Sequence, residues 1–141
     1  MRTTLKRTFA VAALAFLAAC PAPTAPTLTA AVGADFVLAP GETATVRGTD
    51  LSLTFVRVLS ESRCPINPQI QCVWEGTASL QFRIRDAEGT REVQLETHDR
   101  ANRLSVDEYL VRVMELTPAP RTEAVTPSDR YRVTLRVTRT G

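Results

Sequence analysis

From Asp35 onward, apolar and polar residues alternate with a period of two, in short runs broken by turn residues. Phe36 and Leu38 alternate before a Pro40-Gly41 turn. Ala44 and Val46 alternate before Gly48-Thr49-Asp50, and Leu51, Leu53 and Phe55 carry the next run. Ala78, Leu80, Phe82 and Ile84 share one face, with Ser79, Gln81, Arg83 and Arg85 on the other. Tyr109, Val111 and Val113 alternate with Leu110, Arg112 and Met114. The last run is the cleanest, with Tyr131, Val133, Leu135 and Val137 inward and Arg132, Thr134, Arg136 and Thr138 outward. Period two puts successive side chains on opposite faces of a strand, so each run buries one face and wets the other. No segment after the N-terminal region sustains the i, i+3, i+4 stripe of a major helix. About seven strands at this spacing predict an all-β fold, an antiparallel Ig-like β-sandwich over residues 35–141.

One hairpin can be set in register. Asp86-Ala87-Glu88-Gly89 separates Arg85 from Thr90, and pairing outward places Phe82 opposite Val93 and Leu80 opposite Leu95. Arg83 then faces Glu92 on the wet side. A slip of one residue would turn one strand's apolar set to water, so pattern and loop length agree. The outward arginines of the last strand, Arg132 and Arg136, are expected to face acidic neighbours on a solvated surface.

The N-terminal region has a different texture. Arg2, Lys6 and Arg7 precede an uncharged apolar run from Phe9 to Ala19, too short to span a bilayer as a helix. Leu17-Ala18-Ala19-Cys20 closes that run and resembles the lipobox of bacterial lipoprotein precursors. The resemblance implies a signal peptide over residues 1–19, cleavage before Cys20, and acyl chains on that cysteine. Two or more chains give lasting attachment to a membrane. The alternative is an ordinary secretory signal with Cys20 incidental. Residues 20–34, rich in Pro, Thr and Ala, then read as an extended tether of up to about 40 Å.

Loss of the leader changes the charge. The whole chain carries a formal +2 from 17 Lys+Arg against 15 Asp+Glu. Without Arg2, Lys6 and Arg7 the balance is 14 − 15 = −1. No strong basic field remains to argue for nucleic acid.

With Cys20 assigned to lipid, Cys64 and Cys72 remain, an even number in an oxidising compartment, and a disulfide is the expected outcome. Its ring would contribute roughly 2.5 kcal/mol by the loop-entropy model. A metal held by Cys64, Cys72 and His98 is the competing arrangement, but His98 is the sole histidine and no further ligand stands at a recognisable spacing. Ser62-Arg63-Cys64-Pro65 followed by Cys72-Val73-Trp74-Glu75-Gly76 resembles the signature of an uncharacterised family of small bacterial secreted proteins and lipoproteins. Glu61 stands where that signature has Asp, and the loop between the cysteines is longer. The resemblance brings no activity with it.

Two roles suit this stretch. Trp74, the only tryptophan, could lie over the disulfide as a lid on the core while Arg63 pairs with Glu61 or Glu75. Alternatively Trp74, Arg63, Glu61 and Glu75 form an exposed patch that grips a partner, since Trp and Arg are favoured at binding hot spots. Enzyme chemistry has thinner support. A Ser-His-acid arrangement would need His98, and no G-x-S-x-G accompanies it. No phosphate-cradling loop or cofactor fingerprint is present, so no cofactor is expected. Residues 117–129, with Pro118, Pro120 and Pro127, form a long connection before the last strand. The sequence therefore leads to a lipid-anchored protein of the bacterial cell envelope, on its periplasmic or extracytoplasmic face. Its non-enzymatic sandwich would bind an envelope protein or surface polymer. A structural or stress-related protein without a discrete ligand, or a hydrolase, are the alternatives.

Overall fold

A computed structural model describes residues 26–98 and 100–141. The leader, Cys20 and the first part of the tether lie outside the described residues, as does Asp99. Two sheets face each other in a β-sandwich. The first has five strands in the order β1 (Thr27–Ala30), β3 (Thr43–Val46), β4 (Ser52–Glu61), β5 (Ala78–Asp86) and β6 (Gly89–Glu96). The second has four, β2 (Asp35–Leu38), β9 (Arg132–Arg139), β8 (Tyr109–Thr117) and β7 (Arg103–Val106). A single 3-10 turn, Ser128–Arg130, is the helical content of the described residues.

The period-two pattern forms these strands because each has a face to bury. Leu38, Ala44, Val46, Leu53, Phe55, Leu80, Phe82, Ile84, Val133, Leu135 and Val137 are buried between the sheets. The Phe55 and Phe82 rings sit 5.4 Å apart at the centre, within the range of a favourable aromatic pair. The hairpin register is as the sequence requires, with Phe82 on Val93, Leu80 on Leu95 and Arg83 on Glu92. The Arg83–Glu92 ion pair, 3.1 Å, has both side chains about half exposed, so it contributes at most a few tenths of a kcal/mol. The turn is tighter than the four-residue loop expected, because Asp86 and Gly89 also pair. The Asp86 carboxylate accepts from the Glu88 and Gly89 N–H groups and pairs with Arg91, so it closes the turn from a nearly buried position.

Three features depart from the sequence reading. Thr27–Ala30, placed in the tether, is a strand, so the sandwich begins near residue 27 and not at residue 35. It pairs with β3 in parallel, at the sheet edge, and buries Ala30. The short strand β7 is the second addition, raising about seven strands to nine. Third, the outward arginines do not all meet acids. Arg136 binds Asp35 through two hydrogen bonds of 2.6 and 2.9 Å. Arg132 instead donates to the Asp129 and Tyr131 carbonyls.

Four connections point to one end of the sandwich: residues 39–42 between β2 and β3, 62–77 between β4 and β5, 97–102 between β6 and β7, and 118–131 between β8 and β9. The connections at 31–34, 47–51, 87–88 and 107–108 lie at the other end. The functional question concerns the first end.

Candidate functional site: a braced loop platform

The strand ladder runs past the ends of β4 and β5 before the chain leaves it. Ser62 N–H donates to the Thr77 carbonyl at 2.8 Å, and Cys64 N–H donates to the Glu75 carbonyl at 2.8 Å. Cys64 and Cys72 form a disulfide with Cα atoms 6.0 Å apart, which closes the loop and removes both thiols from any metal-binding role. Gly76 makes the close approach possible. Its φ is +69°, and a Cβ there would lie 1.8 Å from the Ser62 carbonyl oxygen. Only glycine fits both the left-handed conformation and the contact.

Arg63 is the brace. Its Nε and Nη2 donate to the two carboxylate oxygens of Glu61 at 2.9 and 2.5 Å, a bidentate pair. The remaining donors reach across to the second sheet, Nη1 to the Leu116 carbonyl and Nη2 to the Pro118 carbonyl. The two side chains are only 16% and 21% exposed. Tyr131, immediately before β9, donates its hydroxyl to Glu61 at 3.4 Å. Burial pushes the Tyr131 phenol above its ordinary range, and the Glu61 carboxylate beside it adds to this, while Thr126 and Arg63 pull the other way. One guanidinium–carboxylate pair thus joins β4, β8 and β9 across the sandwich.

The long connection is part of the same structure. Ile66 N–H donates to the Pro120 carbonyl at 2.9 Å, and the Asn67 amide donates to the Thr122 hydroxyl at 3.0 Å. Residues 62–77 and 118–131 therefore form one platform, held by the disulfide, the Arg63–Glu61 brace and these cross-loop bonds.

Of the four residues proposed for a patch, the structure separates two pairs. Arg63 and Glu61 are mostly buried and spend their hydrogen-bonding capacity within the fold. Trp74 and Glu75 are exposed. Trp74 is 69% exposed, so it is not a lid over the core. The physical reason is position: the ladder carries Val73 and Trp74 beyond the last core layer, where neither sheet offers an inner face to pack against. Trp74 has exposed apolar company that the sequence reading missed. Val73, Ile66 and Val125 are nearly or fully exposed, and Ile70 is partly so. Their signal was available, as isolated apolar residues in segments lacking strand alternation. The docking of the loops that bear Ile66 and Val125, about 50 residues apart, was not, because no local pattern encodes it.

Four hollows open on the platform, and two of them bear on its chemistry. An open one of about 680 Å³ is walled largely by Pro118, Ala119, Ala124, Val125 and Pro127. A smaller polar one of about 280 Å³ gathers Arg63, Glu75, Thr97 and His98 beside the disulfide. His98 is exposed, and its Nδ1 accepts the Arg100 N–H at 3.4 Å, so the ring caps its own turn. Among the described residues, no three His, Cys, Asp or Glu side chains stand together to hold a metal ion. No helix among them is long and apolar enough to cross a membrane. Comparisons with family models, curated proteins and solved structures found no match to this chain.

Proposed function

We propose that this chain is a lipid-anchored protein of the bacterial cell envelope, attached through Cys20, whose sandwich is a non-enzymatic binding module. The loop platform is its contact surface. The carrying observation is the exposure of Trp74, Val73, Ile66 and Val125 on loops that are braced rather than floppy. A rigid support lowers the entropy lost on binding, and a large aromatic on such a support is the usual anchor of an interface. The polar hollow around His98 supports the hydrolase alternative less well, since Arg63 is committed to Glu61 and to backbone carbonyls.

The test compares full-length protein recovered from its native envelope with a Trp74→Ala form. Acyl chains on Cys20 by mass spectrometry, and envelope material retained by the parent but lost by the variant at equal thermal stability, are the expected results. A bare Cys20, or equal retention by both forms, overturns the proposal.

A further inference from the structure

We infer that the occupant of the loop platform is the lipid bilayer itself, so that the sandwich docks onto the membrane that holds its anchor, with Trp74 seated at the interface. This inference rests on the reading of Cys20 as the lipidated residue.

Chain direction and length come first. Thr27 pairs with Thr43, and Thr43 pairs with Thr54, so β1 enters the sheet at the level of Thr54. It runs from there toward the end bearing residues 47–51. Pro26 therefore lies on the platform side of β1. Cys20 lies six residues before Pro26, and six extended residues reach at most about 20 Å. β4 carries two bulges between Phe55 and Glu61, and β5 covers the same stretch in the four steps from Phe82 to Ala78, so the climb toward the platform is about 13 Å. A tether continuing in the direction of β1 would therefore reach about 7 Å past the end of β4, to the platform itself, with little length left to hold the sandwich away from the lipid.

The same tether could double back toward the other end, and surface chemistry decides between them. The far loops at 47–51, 87–88 and 107–108 carry Asp50, Glu88, Asp107 and Glu108 against Arg47 alone. Arg139 stands beside Glu108 there, so exposed apolar surface and not charge separates the two ends: Val32, 37% exposed, is the one large exposed apolar side chain of the far connections among the described residues. The platform loops 62–77 and 118–131 carry Arg63, Arg121 and Arg130 against Glu75, Glu123 and Asp129, with Glu61 paired to Arg63. Exposed Trp74, Val73, Ile66 and Val125 stand among these charges. A tryptophan with flanking aliphatic tips suits the headgroup level, where an amphipathic ring has one side apolar and the other wet.

Because Trp74 is the only tryptophan, intrinsic fluorescence reports on this surface alone. The acylated full-length protein is reconstituted into vesicles of phosphatidylethanolamine and phosphatidylglycerol in equal parts. Cys20 acylation is verified in the same sample by mass spectrometry. The expected result is a blue-shifted Trp74 emission, severalfold weaker acrylamide quenching, and strong quenching by lipids spin-labelled near the headgroup. Val73→Asp and Val125→Asp, at fully exposed positions that should not disturb folding, are expected to restore the water-exposed emission. Acylated protein whose Trp74 stays fully accessible to acrylamide overturns the docking while leaving the anchor and a different partner in place. Protection of Trp74 in native envelopes but not in lipid vesicles likewise overturns it, in favour of a protein or polymer. Absence of acylation removes its premise and overturns it together with the anchor.

Discussion

Arg63, Gly76, Trp74 and Asp86 show how differently single side chains serve this fold. Arg63 satisfies a carboxylate and two carbonyls at a junction between sheets, so its removal strands several polar groups at once. Arg63→Met is expected to lower stability by about 2–3 kcal/mol in urea unfolding, discounted for partial solvent access. Losing Arg63 and Glu61 together should cost less than the sum of the single changes. A cost below half a kcal/mol for Arg63→Met would show that the brace is decorative. Trp74→Ala, at an exposed position, should change stability by no more than about 0.5 kcal/mol. Asp86 gives a pH signature. Burial raises its pKa, but hydrogen bonds from Arg91, Glu88 N–H and Gly89 N–H outweigh this and hold the carboxyl below its ordinary range. The unfolded chain then binds the proton more readily, so the stabilisation is complete above about pH 4. It is lost as the pH falls through the lower folded value. Asp86→Asn should flatten this part of the acid unfolding profile, which is read by thermal melts between neutral and acidic pH. An unchanged acid slope would rule out this role for Asp86.

Strands and loops add constraints that no residue carries alone. On the outer face of the second sheet, Arg103 pairs with Arg112 and Arg112 pairs with Arg136. Among the described residues an ion pair relieves Arg136 alone of the three: it binds Asp35 and holds that carboxyl below its ordinary range, chiefly through its hydrogen bond. Like charges directly opposite on adjacent strands are destabilising, and the Arg112 Nε is buried without a hydrogen-bond partner. Arg112→Thr is therefore expected to stabilise the protein by about 0.5 kcal/mol at low salt. The gain should shrink at high salt as repulsion is screened. Denaturant melts at two ionic strengths check both statements, and a salt-independent loss of stability would contradict them. For the cysteine loop, replacing Cys64 and Cys72 together by alanine should cost roughly 2.5 kcal/mol. The far-ultraviolet signature of the sheets should persist, since the disulfide closes a loop beyond the strands and not a link between the sheets.

For the molecule entire, the boundary of the folded unit is the testable matter. β1 covers the edge of β3 and buries Ala30 with part of Leu28, so the domain extends to residue 27. A chain beginning at Asp35 should be less stable than the full-length protein by about 1–3 kcal/mol, from lost apolar burial and strand pairing. It should also self-associate more readily through the bared edge. Equal stability and equal solubility would return residues 27–34 to the tether. The placement of β1 also sets the polarity of the molecule. β1 runs from the platform side toward the far loops, so Pro26 lies on the same side as the loops that carry Trp74 and Val125.

The alternating pattern by itself determined the sandwich, the inward residues of the long strands and the register of the β5–β6 hairpin. Each follows from a local period and a short turn, and burial of one face admits a single solution. The cysteine pair was legible too, on the reading that reserves Cys20 for lipid and so leaves two thiols to be joined. Tertiary structure alone decided the rest. Thr27–Ala30 has no alternation strong enough to announce a strand and becomes one because β3 offers an unpaired edge. Arg63 reads as a free cation until Leu116 and Pro118 arrive from 53 and 55 residues away. Trp74 is exposed because the loop carries it past the last layer of the core, and the loops that bear Ile66 and Val125 meet because one long connection docks on another. Those outcomes depend on contacts between distant segments, which no local period encodes.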